Sequence, residues 1–233
     1  MKHTILFTSL CYFDDQDLVS RFSIKVLRKL DNFPKGENNW ERMHRFLERI
    51  NSLKRIPRMG WLESGLPLSG AEDVAEHSFE TVTITMLLAD SIDQDLDSER
   101  ALRMAIVHDW GEAITGDFSR EVSTEIGSEV KEEIEERIWE SLLVGEVPNG
   151  EEYLEFWREY TRMDTKESKL VHVADLLSVM VEASDLFRRG ERSEKLKEIW
   201  ETTRNELEAF VDSFPILEGL IRELDENLPS GSI

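Results

Sequence analysis

Apolar residues recur three and four positions apart along most of the chain, the spacing that lines one face of an α-helix. Met43, Phe46, Leu47, Ile50 and Leu53 form the first such stripe, which Pro57 and Gly60 end. A stretch rich in Gly, Pro and Ser at 60–70 predicts a loop. A helix is expected from about 72 to 89, with Val82, Met86 and Ala89 turned inward. Ser98 is expected to cap another, which carries Leu102, Ala105 and Ile106 into His108 and Asp109. Gly111 and Gly116 then interrupt the pattern and predict a short helix between turns. Val122, Ile126, Val130, Ile134 and Ile138 repeat every fourth residue, giving a long amphipathic helix with a Glu-rich outer face. An aromatic helix is expected at 153–160, and residues 169–187 are apolar nearly all round, the mark of a central buried helix. Leu196, Ile199, Trp200, Leu207 and Phe210 form a further stripe, and 216–228 the last. The pattern is that of an all-α protein.

The first 36 residues differ in kind. Leu18, Phe22, Val26 and Leu30 mark a short amphipathic helix, and Phe-Pro-Lys-Gly at 33–36 reads as a linker. An appendage at 1–36 and a main domain at 37–233 are expected. The opening run is broken by Thr8 and Ser9 and ends at Asp14 and Asp15, which argues against a signal peptide. No stretch approaches the roughly 20 apolar residues of a membrane helix.

Charge narrows the function classes. The 233 residues hold 49 acidic and 28 basic side chains, a net charge of −21. Such a field repels nucleic-acid phosphates and anionic membrane surfaces, so no nucleic acid and no membrane are expected as partners. Residues 121–159 carry a local balance of −10, attributed to a solvated helical face that says little about the ligand. The segment 42–58 runs the other way at +5, and an anion-binding pocket is expected where it meets the core. Cys11 is the single cysteine, so no intramolecular disulfide can form and a reducing, cytoplasmic setting is expected. It has no adjacent cation to activate it as a nucleophile.

The candidate chemistry lies among five histidines. Met104, Ala105, Ile106 and Val107 lead straight into His108 and Asp109, which places an imidazole and a carboxylate inside the core. Asp175 interrupts the most apolar helix and poses the same problem, because an isolated buried charge is very costly. A metal ion is the natural compensation. With His77, 31 residues before His108, these make a mixed nitrogen and oxygen donor set on three helices. Such a set suits Mn²⁺, Co²⁺, Fe²⁺, Ni²⁺ or Zn²⁺ better than Mg²⁺ or Ca²⁺. His44, among Arg42, Arg45 and Arg49, reads as solvated, and His172, one turn before Asp175, reads as support.

Four segments carry a family likeness: Leu-Lys-Arg-Ile-Pro-Arg at 53–58, Glu-His-Ser at 76–78, His-Asp-Trp-Gly-Glu-Ala-Ile-Thr-Gly-Asp at 108–117 and His-Val-Ala-Asp at 172–175. Over about residues 40–190 the chain resembles the HD-domain metal-dependent phosphohydrolases, and within them the 5′-deoxynucleotidase branch. The resemblance implies an HD-domain helical bundle with a metal site in the core. It implies one divalent cation, Co²⁺ or Mn²⁺ first, on His77, His108, Asp109 and Asp175, and hydrolysis of deoxynucleoside 5′-monophosphates by a homodimer. Under it Arg58 grips the phosphate, Glu112 is the general acid/base, Asp117 faces the sugar and Arg120 contacts substrate, as do Asp109 and Asp175. Where some members hold a Trp after the phosphate arginine this chain has Met59, with Trp61 two residues on. A phosphodiesterase or nucleotide pyrophosphohydrolase keeps the same fold with another bond broken. A helical interaction module with a structural metal is the non-enzymatic alternative.

Overall fold

In the computed structural model, residues 39–232 are described apart from 93–94, 120–121, 123–127 and 145. The appendage expected at 1–36 and the candidate Arg120 lie outside the described residues. The described elements are α1 (Asn39–Ile50), a 3-10 turn (Asn51–Arg55), α2 (Met59–Glu63), α3 (Val74–Ser91), α4 (Ser98–Val107), α5 (Glu112–Thr115), α6 (Ser128–Leu143), α7 (Gly150–Arg162), α8 (Lys166–Arg189), α9 (Glu194–Glu208) and α10 (Ile216–Glu226). None of these helices is long and apolar enough to cross a membrane.

α8 is the hub, as its all-round apolar sequence requires. It packs against α3, α4, α7, α9 and α10, burying Leu170, Val173, Leu177, Met180 and Phe187. Each large apolar side chain so buried contributes roughly 1.5–3 kcal/mol. Its start is fixed by a reciprocal cap: Ser168 N–H donates to Thr165 Oγ1 at 3.0 Å, and Thr165 N–H to Ser168 Oγ at 3.1 Å.

Three local expectations are corrected. Asp97, not Ser98, caps α4, accepting from Arg100 N–H at 2.9 Å. The expected loop at 60–70 begins with the helical turn of α2. On α3, Met86 points to solvent and is 45% exposed, while the buried line is His77, Thr81, Thr85 and Leu88. Polar residues face the core there because they are satisfied. The Thr85 hydroxyl donates to the Thr81 carbonyl at 2.8 Å, and Thr81 lies 3.4 Å from Ser178 Oγ on α8.

Candidate metal centre

Each site residue sits where a local signal stops or starts an element. Asp73 and Glu76 form a capping box at the head of α3, with Glu76 N–H on Asp73 Oδ1 at 2.9 Å and Asp73 N–H on Glu76 Oε2 at 3.0 Å. This sets His77 in the first turn of α3. The segment before it forms an isolated antiparallel bridge with the segment carrying Arg58: Arg58 N–H donates to Glu72 O and Val74 N–H to Ile56 O, both at 2.9 Å. His108 and Asp109 end α4, and Gly111 lets the chain turn against Trp139 into α5. Asp175 comes from the middle of α8.

Together these elements bring His77, His108 and Asp175 to one point, with ligand atoms all within 4.8 Å of one another. His77 Nε2 lies 3.0 Å from Asp175 Oδ1 and 3.7 Å from Asp109 Oδ2, and His108 Nε2 lies 3.1 Å from the same Asp109 oxygen. Both rings are buried, and neither Nε2 has a hydrogen-bond partner. The opposite nitrogens are tied: His108 Nδ1–H donates to Ala105 O at 2.8 Å, and His77 Nδ1 lies 2.9 Å from Ser178 Oγ. The remaining Asp175 oxygen accepts from Tyr160 OH at 2.6 Å. Two orphaned, buried imidazole nitrogens converging on two carboxylates fit a divalent ion, since an unpaired buried polar atom is otherwise costly.

Arg58 stands beside this centre, its guanidinium 3.5 Å from Asp109, 3.7 Å from Glu112 and 3.3 Å from Asp117. Asp117 also accepts the Met59 N–H. Met59 thus contributes backbone to the site, while Gly60 and Trp61 line the neighbouring cavity. The Trp61 indole N–H is used on Glu72 Oε2, at 3.0 Å.

The electrostatics follow from burial. Burial alone would raise the Asp109 carboxyl, but His108, Arg58 and His77 more than offset it and hold it below the usual range. Asp175 is likewise held low against burial, chiefly by His77. Burial lowers His108, yet Asp109 and Asp175 outweigh it and bring the ring up to about 9. The carboxylates thus favour a proton at this ring, and a metal ion bound there would compete with it. Glu112 is different: burial, reinforced by the charge of Asp109, pushes its carboxyl well above the usual range.

Two cavities of about 340 and 370 Å³ flank the centre and share Arg58, Asp117, Phe118, Lys131, His172 and Asp175. The first reaches His108, Asp109, Glu112 and Tyr160, with Trp139 and Trp157 behind them. The second runs between α2 and α9 past Trp61 and Ile199.

The basic stretch 42–58 does not converge on the cavities as expected. Of its cations only Arg58 lines them; Arg45 instead pairs with Glu146 at 2.9 Å. His44 is solvated and lies 3.7 Å from Glu48. His172 lines both cavities and packs against Tyr160 and Phe210. Sequence reasoning missed Tyr160, Ser178, Lys131 and Glu135. Tyr160 and Ser178 carry no motif, and the last two sit in the acidic segment that was read as solvated.

Comparison with known proteins agrees with this geometry. The HD domain family model matches residues 50–212. A 5′-deoxynucleotidase from Mus musculus is 28% identical over 181 residues, covering 78% of this chain and 85% of that relative. A 5′-deoxynucleotidase from Dictyostelium discoideum is 28% identical over 191 residues, covering 78% of this chain and 96% of its own length. Among solved structures, a conserved hypothetical protein from Pyrococcus furiosus superposes with a TM-score of 0.66 at 33% identity, covering 78% of this chain and 98% of that one. A protein from Magnetospirillum magnetotacticum described as a predicted metal-dependent phosphohydrolase gives 0.56 at 25% identity, covering 83% and 95%.

Proposed function

The chain belongs to the HD domain family of metal-dependent phosphohydrolases, and we propose that it hydrolyses deoxynucleoside 5′-monophosphates to deoxynucleosides and phosphate. The observation that carries this reading is the pair of unpartnered Nε2 atoms of His77 and His108, set against Asp109 and Asp175 with Arg58 alongside. His77, His108, Asp109 and Asp175 would hold the ion. Their nitrogen and oxygen donors suit Co²⁺ or Mn²⁺, and admit Ni²⁺, Fe²⁺ or Zn²⁺.

When bound, a divalent ion withdraws charge from the phosphoryl oxygens and acidifies water at neutral pH. The rest is the work of this chain's side chains. Arg58 presents a planar donor fork to two phosphoryl oxygens, exchanging its carboxylate contacts for them. Glu112, whose carboxyl burial pushes well above the usual range, gives a proton to the departing 5′-oxygen and, once ionised, takes one from the attacking water. Asp117, pinned by Met59 N–H and Arg58, offers an acceptor to a sugar hydroxyl. Arg120 belongs to the same reading as a substrate contact, on resemblance alone. The aromatic walls of Trp139, Trp157 and Phe118 lower the polarity around the phosphate.

The preference for deoxyribose rests on the relatives' activity, with Trp61 standing beside the second cavity where Met59 does not. A homodimer fits the outer face of α3, where Phe79 and, two turns on, Met86 and Leu87 are exposed. A cytoplasmic location fits the single cysteine.

The test is phosphate release from a panel of ribo- and deoxynucleoside monophosphates by the purified protein with Co²⁺ or Mn²⁺. Release from the deoxynucleotides, abolished by Asp109→Ala, is the expected result. Failure to release phosphate from any nucleoside monophosphate would overturn the reading, and pyrophosphate release from triphosphates would move the activity to another bond.

A further inference from the structure

Arg58 is not the only cation at the junction of the two cavities. Lys131 on α6 lines both of them, and its ammonium lies 3.5 Å from Glu135 Oε1, one turn along the same helix. Glu135 lines the first cavity with it and lies close enough to feel the charge of Asp109. A phosphate dianion entering this cleft meets the carboxylates of Asp109, Asp117, Glu135 and Asp175, so it needs more positive charge than its own negative charge implies.

The two cations are placed differently. Arg58 already faces three carboxylates at 3.3–3.7 Å and is held by them. Among the described residues Lys131 is ion-paired with Glu135, at a separation longer than a good hydrogen bond. Its side chain is 35% exposed, and a lysine stem of four carbons can swing its donor by several ångströms. Lys195 also lines the second cavity, but that lobe does not reach His108, Asp109 or Glu112. Among the described residues, Lys131 and Arg58 are thus the lysine and arginine lining the cavity that reaches His108, Asp109 and Glu112.

We propose that Lys131 is a second phosphate-binding residue: on substrate entry its ammonium leaves Glu135 and donates to a non-bridging phosphoryl oxygen alongside Arg58, and Glu135 recovers it when phosphate departs. This rests on the phosphohydrolase reading above. Glu135 keeps the cation over the cleft in the empty enzyme, where it would otherwise turn to solvent.

The experiment is calorimetric titration of inorganic phosphate into the full chain loaded with Co²⁺ or Mn²⁺, for the unmodified protein, Lys131→Met, Lys131→Arg and Glu135→Gln. Metal affinity and Tm are measured for each. Lys131→Met is expected to bind metal normally, to lose about tenfold or more in phosphate affinity, and to raise KM for a nucleotide with little change in kcat. Lys131→Arg restores most of the affinity, and Glu135→Gln leaves it unchanged or tighter.

Equal phosphate affinity in Lys131→Met and the unmodified protein would overturn the proposal. So would an equal loss in Glu135→Gln, which would make the pair a structural link. An unmodified protein that binds phosphate but hydrolyses no nucleoside monophosphate would sink the activity reading while the phosphate comparison still decides the role of Lys131.

Discussion

Ser178 Oγ lies 2.9 Å from His77 Nδ1 and donates its own proton to the Asp175 carbonyl at 2.8 Å. A hydroxyl that has spent its proton on a carbonyl can only accept from the ring, so His77 carries its proton on Nδ1 and bares a lone pair at Nε2. Ala105 O imposes the same tautomer on His108. The polar line His77, Thr81 and Thr85 along α3 is therefore part of the metal centre's support, and the hydroxyl ladder reaches it through Ser178.

Removing that hydroxyl tests the ladder. Ser178→Ala is expected to weaken metal binding about 10- to 100-fold, measured by competition with a chelator, while the metal-free protein keeps its helical circular dichroism. Tyr160→Phe frees one Asp175 oxygen and should act in the same direction. Unchanged metal affinity in both variants would show that ring orientation is set by packing alone.

Glu112 separates chemistry from binding. Its carboxyl stands 3.7 Å from Arg58, and burial and the charge of Asp109 raise its affinity for a proton. Glu112→Gln keeps size and hydrogen-bonding capacity but cannot exchange a proton. We expect kcat to fall about 100- to 10,000-fold with metal affinity kept within a few fold. A variant retaining full kcat would remove Glu112 from the acid/base role.

Glu72 gives a pH dependence away from the ion. Burial pushes its carboxyl up to about 7, against the opposing effects of the Trp61 indole and Arg58. The folded protein binds this proton more tightly than the unfolded chain. The resulting stabilisation is complete below the unfolded value near 4.5 and is lost as pH rises through about 7. Glu72→Gln retains an acceptor for Trp61 and removes the titration. Its stability, followed by urea unfolding, should vary less between pH 4.5 and 7 and exceed the parent's above pH 7, by at most about 3 kcal/mol. Identical pH profiles would refute the assignment.

Gly111 is required by a close approach. A Cβ there would stand 2.7 Å from Trp139 Nε1 and 3.2 Å from its Cε2, and Trp139 is 2% exposed and stacked on Trp157 at 5.3 Å. Gly111→Ala should cost roughly 1–3 kcal/mol, lowering Tm by about 2–10 °C, and should disturb α5 and Glu112. An unchanged Tm would mean that the turn relaxes.

The helices were largely readable because each buries one face, and a buried face leaves a period of 3.6 in the residues that cover it. That reading failed where burial and polarity part company. Met86 looked like a core residue and Thr85 did not, because Thr85 satisfies its hydroxyl on the Thr81 carbonyl one turn back and Thr81 reaches Ser178 on a neighbouring helix, and neither pairing leaves a trace in the apolar pattern. His77, His108, Asp109 and Asp175 were legible for the opposite reason: titratable groups set in apolar runs are costly without a partner, so the composition around them gives them away.

What no pattern could state is which distant side chains would meet them. Tyr160 reaches Asp175 only because α7 lies against α8, and Ser178 reaches His77 only because α3 does. The same holds for charge. By net charge the basic segment 42–58 belonged at the pocket and the acidic segment 121–159 to solvent, yet Arg45 turns to Glu146 while Lys131 and Glu135 line the cavity. The chain by itself determined its helices and the candidate donors for an ion, because those depend on local burial. The folded structure alone decided the walls of the cleft and the cation that faces the metal centre with Arg58, because side-chain direction depends on how the helices pack.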